Sequence, residues 1–183
     1  MSRAAVDRFI EMTHEQYKAK CGDRLGTSIK GIFTDEPHRG KAMDNLRCDG
    51  DTLTCSMCWT DDFFAEFETR YGFRAQDVLP ELFYRMDGER LSQVKLFWFD
   101  LADNLFLERF ANPINDWCND NGIAFTGHVL HEDSLTNQSV PHGSLMRFYE
   151  YMGAPGVDVL SEYNRCYWIV KQLSSAARQL GKK

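Results

Sequence analysis

Two short apolar runs each break off abruptly into ionisable side chains: IKGIFTDEP over 29–37 and GIAFTGHVLHED over 122–133. Apolar runs of this length suit strands buried on both faces, as in a parallel sheet. In α/β barrels the C-terminal mouth of such a sheet is where catalytic carboxylates and histidines are presented. The pattern predicts an α/β enzyme whose working groups stand at strand ends.

The spacing elsewhere supports alternation of strands and helices. Val6, Phe9, Ile10, Thr13 and Tyr17 predict a helix running to about Gly22, followed by a strand over 29–34. Residues 38–54 are polar and rich in Gly and Asp, and read as a long loop, with a short strand re-entering at 53–59 as an option. Thr60 or Asp61 caps a helix reaching Tyr71-Gly72, and a short helix spans Asp77 to Met86. The longest element covers 90–121, where Val94, Phe97, Trp98, Leu101, Leu105, Phe110, Ile114 and Trp117 mark one face for packing on a sheet, with Pro113 kinking or dividing it. A second strand at 123–130, a helix from Ser144 to Met152, a third strand at 156–160 and a last helix closed by Gly181 complete the series. That alternation is the order of βαβ units. A complete βα barrel takes roughly 250 residues and eight strands, so the chain of 183 residues reads as a single segment of a partial (β/α)8 TIM-type barrel, its remainder missing. No strand-to-helix junction carries the Gly-rich phosphate turn of a dinucleotide fold.

Composition narrows the partners. Lys and Arg are outnumbered by Asp and Glu, 21 to 27, which argues against nucleic acid. No apolar run approaches the ~20 residues of a membrane span, and MSRAAVDRFIEM has no signal-peptide apolar core. Aromatic residues make up 13%, enough for a large core and for the platforms on which sugar rings stack. Six cysteines are too few for a disulfide scaffold here and read as mostly buried free thiols.

Candidate chemistry gathers at the strand ends. Asp35 and Glu36 precede Pro37, so the strand ends there and the two acids face opposite ways; Glu36 is taken as the working group. A carboxylic acid partly shielded by aromatics keeps its proton to higher pH and can pass it to a leaving group. His128, His131, Glu132 and Asp133 form the second cluster, with Gly127 allowing close approach of a ligand. The readings open for it are a polar substrate-gripping site with Glu132 as second carboxylate, a metal site, or solvent-facing charge. Asp158 and Glu162 mark a third strand end, where Tyr163 and Asn164 could grip a polar ligand, although Asp158 equally suits a buried structural acid. A competing constellation, His38, Cys48, Cys55 and Cys58, has the ligand types of a closed zinc site; simple packing of the cysteines with Met57 and Trp59 is the other reading. His14, among charged neighbours, is expected at the surface.

Acids at several strand ends, amides and aromatics suit glycosyl transfer, which needs two carboxyl groups flanking one bond. The stretches GIFTDEP, TGHVLHED and EYMGAPGVDVLSEY, with WTDDFFAEFETRYGF and VKQLSSAARQLGKK, resemble the catalytic barrel of bacterial proteins related to glycoside hydrolase family 106, the α-L-rhamnosidases. The likeness covers nearly the whole chain, but only the middle of the family's larger proteins. It implies an inverting hydrolase acting on terminal α-L-rhamnose in a rhamnose-containing glycan, with a calcium ion near the sugar hydroxyls and a periplasmic or extracellular setting. Carried onto this sequence, Glu36 is the general acid, Glu132 a base or calcium ligand, and Glu162 a rival for the base. Asp35, His128, His131, Trp59, Tyr163 and Asn164 are expected around the substrate. The alternative is a non-catalytic module, carbohydrate-binding or zinc-stabilised.

Overall fold

Strand β1 (Gly31–Asp35) lies parallel beside β4 (Ala124–His128), with Ile32 opposite Phe125, Thr34 opposite Gly127 and Asp35 opposite His128. The short β5 (Ala154–Pro155) joins the far edge of β4, also parallel, giving the order β1-β4-β5. The computed structural model describes residues 1–43, 47–84, 92–159 and 166–182. Among them this small parallel sheet with helices around it makes an α/β fold, and no closed barrel is formed.

Parallel pairing in register puts partner residues on one face. Ile32 and Phe125 therefore turn to a core made by Ile114, Trp117, Phe148, Tyr149 and Met152, supplied by α5 (Asn112–Asp120), α7 (Leu145–Tyr149) and the turn after it. Phe33, Thr126 and His128 share the opposite face, where Phe33 is largely exposed. Gly127 has φ +148°, and a Cβ there would stand 2.1 Å from the Thr34 carbonyl oxygen, so β1 and β4 can approach only because this position is glycine.

Among the described residues, a second apolar layer is built without a strand of either sheet. Phe63 and Phe67 of α3 (Phe63–Tyr71), Ala75 and Leu82 of the 3-10 segment 75–82, and Val94, Trp98, Leu101 and Leu105 of α4 (Gln93–Phe106) are buried together. Ser92 caps α4, its Oγ accepting the Lys95 N–H at 3.4 Å. The expected single helical face over 90–121 thus divides its packing. Its first half meets aromatic helices, and its second half meets the sheet. A π turn at 107–111 separates the halves, and Pro113 follows in the first turn of α5. Pro113 has no N–H to give and its ring crowds the carbonyl four residues earlier, a conflict that the widened turn relieves.

Several sequence expectations change. Residues 38–54 contain a hairpin, β2 (Arg47–Asp49) with β3 (Thr52–Thr54), instead of an unbroken loop. The third strand is at 154–155; of the expected 156–160, residues 156–159 are not strand and 160 lies outside the described residues, and Gly156 passes so close to Gly127 that a Cβ would meet its carbonyl oxygen at 2.6 Å. Helix α6 (Leu135–His142) was not expected, because its sequence is polar and contains Pro141; Ser134 caps it through the Asn137 N–H at 3.1 Å. His14, which begins α2 (His14–Cys21), is buried between Phe9 and Trp117, with ring centroids 5.3 and 5.0 Å away. Burial lowers its proton affinity. The charged neighbours that suggested a surface position instead support docking, since Glu15 accepts the Trp117 indole N–H at 2.7 Å.

One buried ion pair links the two layers. Arg39, in the loop after β1, is fully enclosed; its Nε donates to Asp103 Oδ1 of α4 at 2.6 Å, and its terminal nitrogen donates to the carbonyls of Gly40 and Val140.

Candidate active site

Beyond the C-terminal ends of β1 and β4 opens a cleft of about 380 Å³ lined by Glu36, Val129, Leu130, His131, Glu132, Asp133, Asn137, Asp158 and Ile169. Four carboxylates face one small space, which is the arrangement expected where a sheet of parallel strands presents chemistry. Among the described residues the two non-glycine positions with positive φ are Glu36 (46°) and His131 (60°), and both line this cleft. Such backbone costs ~1–3 kcal/mol per residue and persists where the surroundings impose it, most often at functional sites.

The two acids at the end of β1 diverge. Asp35 points outward, its side chain 79% exposed, with Oδ1 3.0 Å from His128 Nε2. Glu36 lines the cleft, and its N–H donates to the His128 carbonyl at 3.1 Å. His128 is largely enclosed, edge-on to Phe33 at 5.4 Å, and its Nδ1 is buried without a hydrogen-bond partner.

Glu132 is a brace as well as a lining group. Only 6% exposed, it accepts the Val129 N–H at 3.3 Å on Oε1 and the Asp158 N–H at 2.7 Å on Oε2, tying the segment after β4 to the segment after β5. Burial raises its affinity for a proton, and the two N–H donors oppose that shift. The Gln138 amide holds the Glu132 carbonyl at 2.8 Å, and Asn137 donates to Asp133 at 3.0 Å.

The structure brings Glu36, His131 and Glu132 together and sets Asp35 and His128 at their edge. Trp59 stands elsewhere, stacked on Phe63 at 5.5 Å and lining a different cleft with Arg109 and Asp62. Glu162, Tyr163 and Asn164 lie outside the described residues. Asp158, marked in the sequence as the end of a third strand, lines the cleft, and so does Asn137, which the sequence reading did not single out. The zinc constellation does not converge: Cys48 and Cys58 hydrogen-bond to the Gly50 and Ala42 carbonyls, and His38 accepts the Gly40 N–H. Among the described residues, the one group of three His, Cys, Asp or Glu with ligand atoms within 4.8 Å of one another is Glu36, His128 and Asp158.

Calcium takes roughly six to eight oxygen ligands. Each Glu132 oxygen accepts one backbone N–H and the residue is enclosed, which limits Glu132 as one of those ligands.

No family model matches the chain. It is similar to a Formosa agariphila protein named "Putative beta-glucuronidase", 27% identical over 128 residues, which are 69% of this chain and 10% of the relative. The chain thus spans about a tenth of the length of the curated relative it matches.

Proposed function

We propose that this chain carries the acidic mouth of a glycoside hydrolase, with Glu36 as the proton donor and Glu132 as the base. The observation that carries the reading is the convergence of these two carboxylates, from the ends of two adjacent parallel strands, on one cleft. The similarity to a protein named as a glycosidase supports the same class.

In the inverting reaction Glu36 gives a proton to the glycosidic oxygen as the bond to the anomeric carbon breaks. Glu132, ionised, takes a proton from a water that attacks the same carbon from the opposite face. The leaving group departs as an alcohol, and the sugar leaves with its anomeric configuration inverted. The two backbone N–H groups hold the Glu132 carboxylate in one orientation, and its enclosure makes it a stronger base than an exposed glutamate. His131, which lines the cleft, would contact sugar hydroxyls.

The lining argues for a neutral sugar. Among the described residues around the cleft there is no Lys or Arg to pair with a uronate, while four acids would repel one. Val129, Leu130 and Ile169 offer an apolar wall suited to the methyl group of a 6-deoxyhexose. A terminal α-L-rhamnosyl group therefore suits the site better than a glucuronosyl group. Release of nitrophenol from p-nitrophenyl α-L-rhamnoside and from p-nitrophenyl β-D-glucuronide separates the two. The rhamnoside is expected to react and to yield the inverted anomer first by proton NMR; preference for the glucuronide would contradict the sugar assignment.

A further inference from the structure

The acid–base reading leaves the Asp35–His128 pair unexplained. With Nε2 held 3.0 Å from the Asp35 carboxylate, the imidazole donates that N–H, which in a neutral ring leaves the lone pair on Nδ1, the nitrogen that is buried without a partner. A carboxylate fixing one ring nitrogen while the other is left bare is how proteins orient a metal-ligating histidine.

We propose that Glu36, His128 and Asp158 form a three-ligand site for a divalent first-row transition-metal ion of the zinc class, with Asp35 as the group that orients the imidazole. One ring nitrogen and two carboxylate oxygens within 4.8 Å of one another offer a borderline ligand set, too poor in oxygen for calcium and lacking the sulfur that soft ions prefer. Ligands bound ~2.0–2.2 Å from one ion lie roughly 3–4 Å apart, so the three close on it by side-chain rotation. Backbone hydrogen bonds already hold each ligand: the Glu36 N–H to the His128 carbonyl, and the Asp158 N–H to the buried Glu132 carboxylate. Two carboxylates balance the ion's charge, and the cleft leaves room for a water or hydroxyl at an open position.

Metal binding does not depend on the hydrolase reading, but it bears on it. A Glu36 oxygen bound to the ion cannot hold the proton that a general acid gives away, so ion and proton compete.

The test is titration of the metal-free chain with Co²⁺, followed by d–d absorption, then displacement by Zn²⁺ followed by calorimetry. One ion per chain is expected, without the intense thiolate charge-transfer band. H128Q and D158N should each weaken binding at least ~10-fold, and D35N by ~10- to 100-fold with stoichiometry kept, as expected of an outer partner. Circular dichroism verifies that each variant is folded, and a Cys48, Cys55, Cys58 to Ser variant should bind as the wild type does. Absence of binding, or binding lost in the cysteine variant and unchanged in H128Q, would overturn the site. Zn²⁺ should also slow hydrolysis of a rhamnosyl disaccharide, whose leaving oxygen needs the Glu36 proton. Tight Zn²⁺ binding with undiminished hydrolysis would refute Glu36 as acid and leave the metal site standing.

Discussion

The aromatic layer of α3, 75–82 and α4 and the mouth above β1 and β4 follow opposite rules. In the layer, Phe63, Phe67 and Trp98 are wholly buried, with the Phe63 and Trp98 centroids 4.4 Å apart, and the positive φ between α3 and the next segment falls on Gly72, where a helix ends. In the mouth, positive φ falls on Glu36 and His131, a carboxylate is enclosed, and four acids share one cleft. Stability resides where side chains are apolar and backbone relaxed; strain and charge are concentrated where chemistry is proposed.

That contrast can be attacked from either side. Trp98→Ala removes the centre of the aromatic layer and should cost ~3–5 kcal/mol in urea unfolding, while Co²⁺ binding at the mouth persists under conditions where the variant remains folded. Equal loss of both would show that the regions are one unit. Arg39→Ala tests their link: it leaves Asp103 buried without its partner, for which ~3–5 kcal/mol is expected. Asp103 already has its proton affinity raised by burial, so this variant should recover part of its stability in acid.

His142 gives a pH test. Enclosed beside Phe106 and Phe148, it is pushed by burial from an ordinary 6.5 down to about 4. The unfolded chain takes up the proton first, so the stability from keeping this ring neutral is full above pH 6.5 and is lost as pH falls toward 4. The loss amounts to on the order of 3 kcal/mol. His142→Leu should flatten that part of the stability–pH curve; an unchanged slope would place the acid sensitivity elsewhere. The smallest effect has the opposite sign. Glu36→Gly relieves a φ of 46° and should stabilise the chain by ~1 kcal/mol while slowing hydrolysis of a rhamnosyl disaccharide, whose leaving oxygen needs the proton.

The sequence made the mouth's outline legible because buried parallel strands are apolar runs with abrupt ends, and Asp35–Glu36–Pro37 can end a strand in few ways. Helices α3 and α4 were legible from their spacing of aromatic residues. Features that depend on distant contacts were not. β5 is two residues long and exists because the Thr126 hydroxyl and the β4 backbone meet it. The burial of His14 needs Trp117 from a helix a hundred residues away. Glu132 reads as a free acid in LHED, yet one of its hydrogen bonds is to Asp158, beyond two intervening helices. Asp35 and His128 were each marked as polar groups, but only strand register makes them partners.

The most direct test of Glu36 as proton donor compares leaving groups. An alkyl rhamnoside needs its oxygen protonated to leave, whereas p-nitrophenolate departs with little help. Glu36→Gln should therefore slow hydrolysis of a rhamnosyl disaccharide by ~10²- to 10⁴-fold and of p-nitrophenyl α-L-rhamnoside by far less. Equal losses on the two substrates, or none on either, would contradict the account.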